Sequence, residues 1–161
     1  KKMYFSIGAH PGFLCPQPGS MDSGMKGYSI DLGLEAEAVS SGILTDQGVL
    51  GSEVKELALT GGSLPLTEQL FSEDALILDA ADIHSAAIKN PSGEVYLRME
   101  FDAPLLGIWS PPGKNAPFVC IEPWYGRCDR EGFTGTLQER EYGNELGCGE
   151  VFEQEYIIEI V

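Results

Sequence analysis

Glu94-Val95-Tyr96-Leu97-Arg98-Met99-Glu100-Phe101-Asp102 is the stretch that decides the fold. Val95, Leu97, Met99 and Phe101 alternate with Glu94, Tyr96, Arg98, Glu100 and Asp102. Side chains on a strand point to opposite faces with a period of two, so this run reads as a half-buried β-strand with one wet face. The same period recurs upstream from Tyr28, where Ile30, Leu32, Leu34, Ala36 and Ala38 alternate with Ser29, Asp31, Gly33, Glu35 and Glu37, and predicts a strand over 28–38. It recurs at the C-terminus, where Phe152, Tyr156, Ile158 and Ile160 stand against Glu153, Glu155 and Glu159. Shorter candidate strands are Met3–Ala9, Val54–Leu59, Ala75–Asp79, Ala86–Lys89, Leu105–Ser110 and Phe118–Glu122. Turn-forming clusters separate them, among them Pro16-Gln17-Pro18-Gly19, Asp46-Gln47-Gly48, Asn90-Pro91-Ser92-Gly93 and Pro111-Pro112-Gly113. No window sustains a helical repeat beyond about two turns; Thr67–Phe71 reads as either a short helix or a turn. The expected fold is all-β, a single antiparallel β-sandwich domain over 1–161.

Composition agrees and excludes some functions. The chain has 161 residues, 43% hydrophobic and 22% charged, with 20 Gly and 10 Pro, an ordinary globular mixture rich in turns. Ten basic against 25 acidic residues give a net charge of -15, which repels phosphate backbones and anionic lipids; neither nucleic acid nor membrane is an expected partner. The seven glutamates from Glu139 to Glu159 read as a solvated strand face that keeps the protein soluble. Cys15, Cys120, Cys128 and Cys148 form no C-x-x-C pair and only two histidines accompany them, so no metal site is expected. Reduced thiols in a cytoplasm are the default. The chain opens on Lys1-Lys2-Met3 and runs directly into a strand pattern, as a cut within a longer protein would.

Two residues stand out for chemistry. His10 ends the first strand pattern on its more polar face, and Pro11 holds the backbone there extended. From pattern alone it is either a functional imidazole or a hydrogen-bonded structural histidine. Glu122 is the single carboxylate in Ala116-Pro117-Phe118-Val119-Cys120-Ile121-Glu122-Pro123-Trp124-Tyr125-Gly126. A lone carboxylate in an apolar strand is costly unless used or paired, with backbone N–H groups or Arg127 as pairing options. Pro123 is expected to end this strand just past Glu122. Trp124 and Tyr125 offer aromatic faces of the kind that stack on sugar C–H surfaces. Glu73-Asp74 precedes an apolar run and reads as turn solvation or a cap. His84 sits in a polar turn.

In order along the chain, Ser6-Ile7-Gly8-Ala9-His10-Pro11-Gly12-Phe13, Leu64-Pro65-Leu66-Thr67 with Leu70-Phe71 and Asp74-Ala75-Leu76-Ile77, Gly107-Ile108-Trp109-Ser110, Phe118 to Gly126, and Leu146 with Gly149-Glu150 and Phe152 together resemble the C-terminal half of an aldose 1-epimerase (galactose mutarotase) family protein. The resemblance spans essentially the whole chain, and its specific parts are the blocks around His10 and Glu122. It implies a β-supersandwich of which this chain is a portion, and interconversion of the α and β anomers of a free hexose without metal or organic cofactor. By motif it implies that His10 is the general acid, Glu122 the general base and Asp74 a holder of sugar hydroxyls, with Trp124 beside them. It also implies an N-terminal half carrying a second active-site histidine and an arginine, to which no segment here corresponds. The chain is then expected to need that missing N-terminal half or to self-associate, and by itself to show little mutarotase activity. The rival expectations are a non-catalytic carbohydrate-binding sandwich, in which His10 and Glu122 lie far apart, and a two-carboxylate glycoside hydrolase using Glu122 with Asp74. The sugar is open, and Lys114, Arg127 and Arg130 keep a phosphorylated hexose in view.

Overall fold

The computed structural model describes residues 1–161. Fourteen strands follow in order: β1 (Met3–Phe5), β2 (Ile7–Gly8), β3 (Gly12–Leu14), β4 (Ser29–Asp31), β5 (Ala38–Leu44), β6 (Leu50–Ala58), β7 (Ser63–Pro65), β8 (Leu76–Asp79), β9 (Ser85–Lys89), β10 (Val95–Phe101), β11 (Leu105–Trp109), β12 (Phe118–Tyr125), β13 (Asn144–Leu146) and β14 (Tyr156–Ile160). The only helical turns are of 3-10 type, Glu68–Phe71 and Leu137–Glu139. No helix is long and apolar enough to cross a membrane.

The strands form an all-β, antiparallel sandwich. A seven-stranded sheet runs β2-β12-β11-β8-β5-β6, with β3 also paired to β12, and a five-stranded sheet runs β14-β10-β9-β4-β7. A small β1–β13 ladder stands apart. Every ladder is antiparallel. The core lies between the two large sheets. Leu76 and Leu78 of β8, Leu106 and Ile108 of β11, and Val119 and Ile121 of β12 meet Ile30, Ile88, Leu97 and Met99 from the facing sheet. Period two then sends the neighbouring residues, Ile77, Gly107, Trp109, Cys120, Glu122 and Trp124, to the opposite face of the seven-stranded sheet. That outer face carries the polar cluster described below.

Four sequence expectations are corrected. The alternation over 28–38 is not one strand. β4 ends at Asp31, whose Oδ1 accepts the Gly33 N–H at 3.0 Å in a turn where Gly33 has φ 67°, and pairing resumes only at Ala38. Leu32 keeps the pattern because it packs into the core without belonging to a ladder. Second, β12 does not stop at Pro123. The Pro123 carbonyl accepts the Ala9 N–H at 3.1 Å on the β2 side, and its proton-less nitrogen faces the same way, so the ladder to β11 continues through Trp124. Third, β14 pairs with β10 as an edge strand, yet Tyr156 (41%), Ile158 (42%) and Ile160 (74%) are exposed rather than buried. Phe152 lies outside the strand and packs edge-on against Phe5 and Tyr125. Fourth, the late glutamates are solvated as expected but do not share one strand face, since only Glu145 and Glu159 lie in strands. Glu139 bonds the Thr136 backbone and hydroxyl, Glu141 pairs with Arg127 and Arg130, and Glu145 pairs with Lys2.

Candidate active site

The register around β12 builds the site. Gly8 lies opposite Trp124 and Gly12 opposite Cys120. These two short ladders keep one register, so the three residues between them, Ala9, His10 and Pro11, face Pro123, Glu122 and Ile121. Ala9 donates to the Pro123 carbonyl and Pro11 accepts from Ile121, closing both sides. His10 is therefore the cross-strand neighbour of Glu122 on the outer face, in keeping with its place on the more polar face of its strand pattern. Its Nδ1 stands 3.1 Å from Glu122 Oε1.

The other flank of Glu122 is Gly107 of β11, and next along the strands Trp109 lies opposite Cys120. The Trp124 indole lies over the space that the two glycines leave open. A Cβ on Gly8 would stand 2.6 Å from its Cδ1, and one on Gly107 2.6 Å from its Cζ2. From there Trp124 Nε1 donates to Glu122 Oε2 at 3.2 Å. Trp109 meets the His10 ring edge-on at 5.7 Å between centroids and donates its Nε1–H to Asp74 Oδ1 at 2.8 Å. Asp74 holds a positive φ of 76°, a conformation costly for a residue with a side chain and tolerated best by Asn and Asp.

Burial differs sharply between the two central groups: the His10 side chain is 62% exposed and that of Glu122 only 6%. Loss of water pushes the Glu122 carboxyl above its ordinary range; the charge of His10 and the Trp124 N–H pull it partly back, and Asp74 pushes it up again. Burial also drives the Cys120 thiol up to about 11, with the Glu122 charge adding to it. A cavity of about 430 Å³ opens beside the pair, lined by His10, Glu122, Trp124, Ile77, Arg127 and others.

The structure thus gathers His10, Glu122, Asp74 and Trp124 on one face. Arg127 does not pair with Glu122; its guanidinium donates to the Cys128 carbonyl and to Glu141, and its side chain is buried. Tyr125 points elsewhere, donating to the Asp102 carbonyl at 3.0 Å. His84 is exposed in its turn. Trp109 was not singled out by sequence as a site residue, although an aromatic at the end of a strand otherwise apolar on both faces was a usable signal. The four cysteines are free thiols. Cysteine spacing concealed a further proximity, because the Cys120, His10 and Glu122 ligand atoms all lie within 4.8 Å of one another.

No protein-family model matches the chain. Protein LacX of Lactococcus lactis subsp. lactis is 35% identical over 131 residues, 78% of this chain and 42% of LacX. A galactose mutarotase related enzyme from Lactobacillus acidophilus superposes with a TM-score of 0.84 at 27% identity, over 99% of this chain and 53% of that one. A galactose mutarotase-like protein from Lactobacillus casei gives a TM-score of 0.78 at 24% identity, over 98% of this chain and 53% of that one. The chain spans about half the length of the relatives it matches. Its fold is that of the galactose mutarotase-like proteins.

Proposed function

We propose that the chain supplies the acid and the base of an aldose 1-epimerase, acting on a free hexose with His10 as general acid and Glu122 as general base. The observation that carries this reading is the placement of an exposed imidazole and a buried carboxylate 3.1 Å apart beside an open cavity. In a pyranose, O1 and the ring oxygen O5 are bonded to the same carbon, so one acid and one base side by side reach both. Glu122 takes the O1 proton while protonated His10 gives one to O5. The ring opens to the aldehyde, the C1–C2 bond rotates, and the reverse transfers close the other anomer. The O1 electron pair forms the C1=O1 bond as the C1–O5 bond breaks and O5 takes the proton, so only protons pass between protein and sugar and the two side chains meet that need. A carboxyl held above its ordinary range is a stronger base than an exposed one. Seating a hemiacetal between the groups requires the His10 ring to swing outward, which its exposure permits. Asp74 and Trp124 flank the pair as hydroxyl acceptor and stacking face.

The half-length match and the exposed apolar residues of β14 support a second part of the proposal. The working unit includes a further, N-terminal segment, supplied in the same protein or by association; a cytoplasmic setting is proposed with it on the four free thiols. A binding-only sandwich is disfavoured because it is the reading in which His10 and Glu122 lie far apart, and they stand 3.1 Å apart.

The test is magnetisation-transfer NMR of anomer exchange on galactose, glucose and their phosphates. It is run on the chain alone and on the chain joined to a segment corresponding to the unmatched part of the Lactobacillus acidophilus structure, with an oligosaccharide as parallel substrate. Exchange without cleavage in the joined protein supports the proposal; cleavage of the oligosaccharide supports a hydrolase. Rapid exchange by the chain alone would overturn the claim that a further segment is needed.

A further inference from the structure

We propose that His10, Cys120 and Glu122 form a binding site for a thiophilic divalent cation of the zinc class. One nitrogen, one sulfur and one carboxylate oxygen lie within 4.8 Å of one another, and the nitrogen and oxygen are 3.1 Å apart. Around a tetrahedral zinc, with bonds of about 2.0–2.3 Å, such ligand atoms stand roughly 3.3–3.6 Å from each other. The His10–Glu122 spacing is already close to this, and the sulfur has at most about 1.3 Å to travel, within reach of a side-chain rotation.

The frame is well fixed. Cys120 and Glu122 are two residues apart on one face of β12, a strand paired on both sides. His10 is tied to the same strand before and after, through Gly8 opposite Trp124 and Gly12 opposite Cys120. All three ligands thus hang from a single strand and its immediate neighbour. Entry is from the side of His10, the exposed member. Three protein ligands leave a fourth position open, the arrangement of catalytic rather than structural zinc sites. Sulfur and imidazole disfavour magnesium and calcium, which take oxygen ligands. The binding stands on this geometry and not on the sugar chemistry. Only its consequence, that a bound ion takes the lone pairs of the acid and the base and so inhibits, rests on the proposed function.

The experiment is a cobalt(II) titration of the tag-free chain carrying Cys128→Ser and Cys148→Ser, which removes the two more accessible thiols. One equivalent is expected to produce a thiolate-to-cobalt charge-transfer band with four-coordinate visible absorption, and zinc is expected to displace it while magnesium does not. Cys120→Ser in that background is expected to abolish the charge-transfer band. His10→Gln, at an exposed position that does not endanger folding, is expected to weaken zinc binding about tenfold or more by calorimetry. Absence of the band, its persistence in Cys120→Ser, or undiminished zinc affinity in His10→Gln would overturn the site.

Discussion

Gly107→Ala tests whether the Trp124 indole is what holds Glu122 in its state. A methyl at Gly107 would stand 2.6 Å from Trp124 Cζ2, 2.8 Å from Cε2 and 3.1 Å from Cη2. Carbon atoms in contact sit at about 3.5–4.0 Å, so the indole must retreat by about 1 Å. The β11 backbone cannot yield instead, because Gly107 is laddered to Ile77 on one side and to Glu122 on the other. Trp124 Nε1 is bonded to the displaced Cε2, so its 3.2 Å hydrogen bond to Glu122 stretches past about 3.5 Å and is lost. Overpacking of this kind costs about 1–3 kcal/mol. Loss of the N–H removes one of the influences that hold the Glu122 carboxyl down, so its titration moves further up. Trp124→Phe separates the two effects, since it deletes the donor without a clash. Urea denaturation followed by near-ultraviolet circular dichroism reads the stability, and carbon-13 NMR titration of the glutamate carboxyls reads the protonation. The expected result is Glu122 titrating higher in both proteins, with the larger stability loss in Gly107→Ala, which adds the clash to the loss of the hydrogen bond that the two variants share. A Gly107→Ala protein within about 0.5 kcal/mol of wild type, with the Glu122 titration unmoved, would refute the reasoning.

Further outcomes follow from the same structure. The stability difference between Glu122→Gln and wild type is expected to move in favour of Glu122→Gln as pH rises. A carboxyl raised in the folded state favours folding while protonated and loses that contribution as pH climbs through its folded value, at about 1.4 kcal/mol for each pH unit of displacement. Thermal melts of both proteins from about pH 4 to about pH 8 should show a widening gap, and a gap that shrinks with pH contradicts the assignment. Asp74→Ala is expected to lose about 1 kcal/mol in denaturant melts, because alanine is strained at φ 76°, whereas Asp74→Asn tolerates that backbone and should lose less. Leu106→Ala, at a fully buried core position, should cost about 2–5 kcal/mol, against less than about 0.5 kcal/mol for Ile160→Ala on the exposed edge of β14; equal losses would place the core elsewhere.

The fold class was legible because β10 has one face turned to the core and the other to water, which leaves a period-two imprint, while β11 and β12 are covered on both faces and read only as short apolar runs between turns. The same imprint misled at 28–38, where Leu32 is buried by packing while the backbone has already left the ladder at Gly33. It misled again at β14, where alternation is present but nothing in the chain covers the strand. Pro123 showed the limit of local rules: a proline is tolerated within a paired strand when its nitrogen faces the side that needs no donor. His10 and Glu122 each stood out by residue type and context, yet their juxtaposition depends on register between β12 and the interrupted β2–β3 strand, which no local pattern encodes. The two glycines that make room for Trp124 act through the same cross-strand geometry and were invisible for the same reason, whereas Trp109 stood out by residue type but by no pattern that ties it to His10 and Asp74.

The most direct test of the acid–base account compares anomer exchange by magnetisation transfer in the joined protein and its Glu122→Gln variant, at matched saturation with the same hexose. The account predicts that exchange falls by about 10²–10⁴-fold, while saturation-transfer difference signals show the sugar still bound. Equal exchange rates in the two proteins would contradict it.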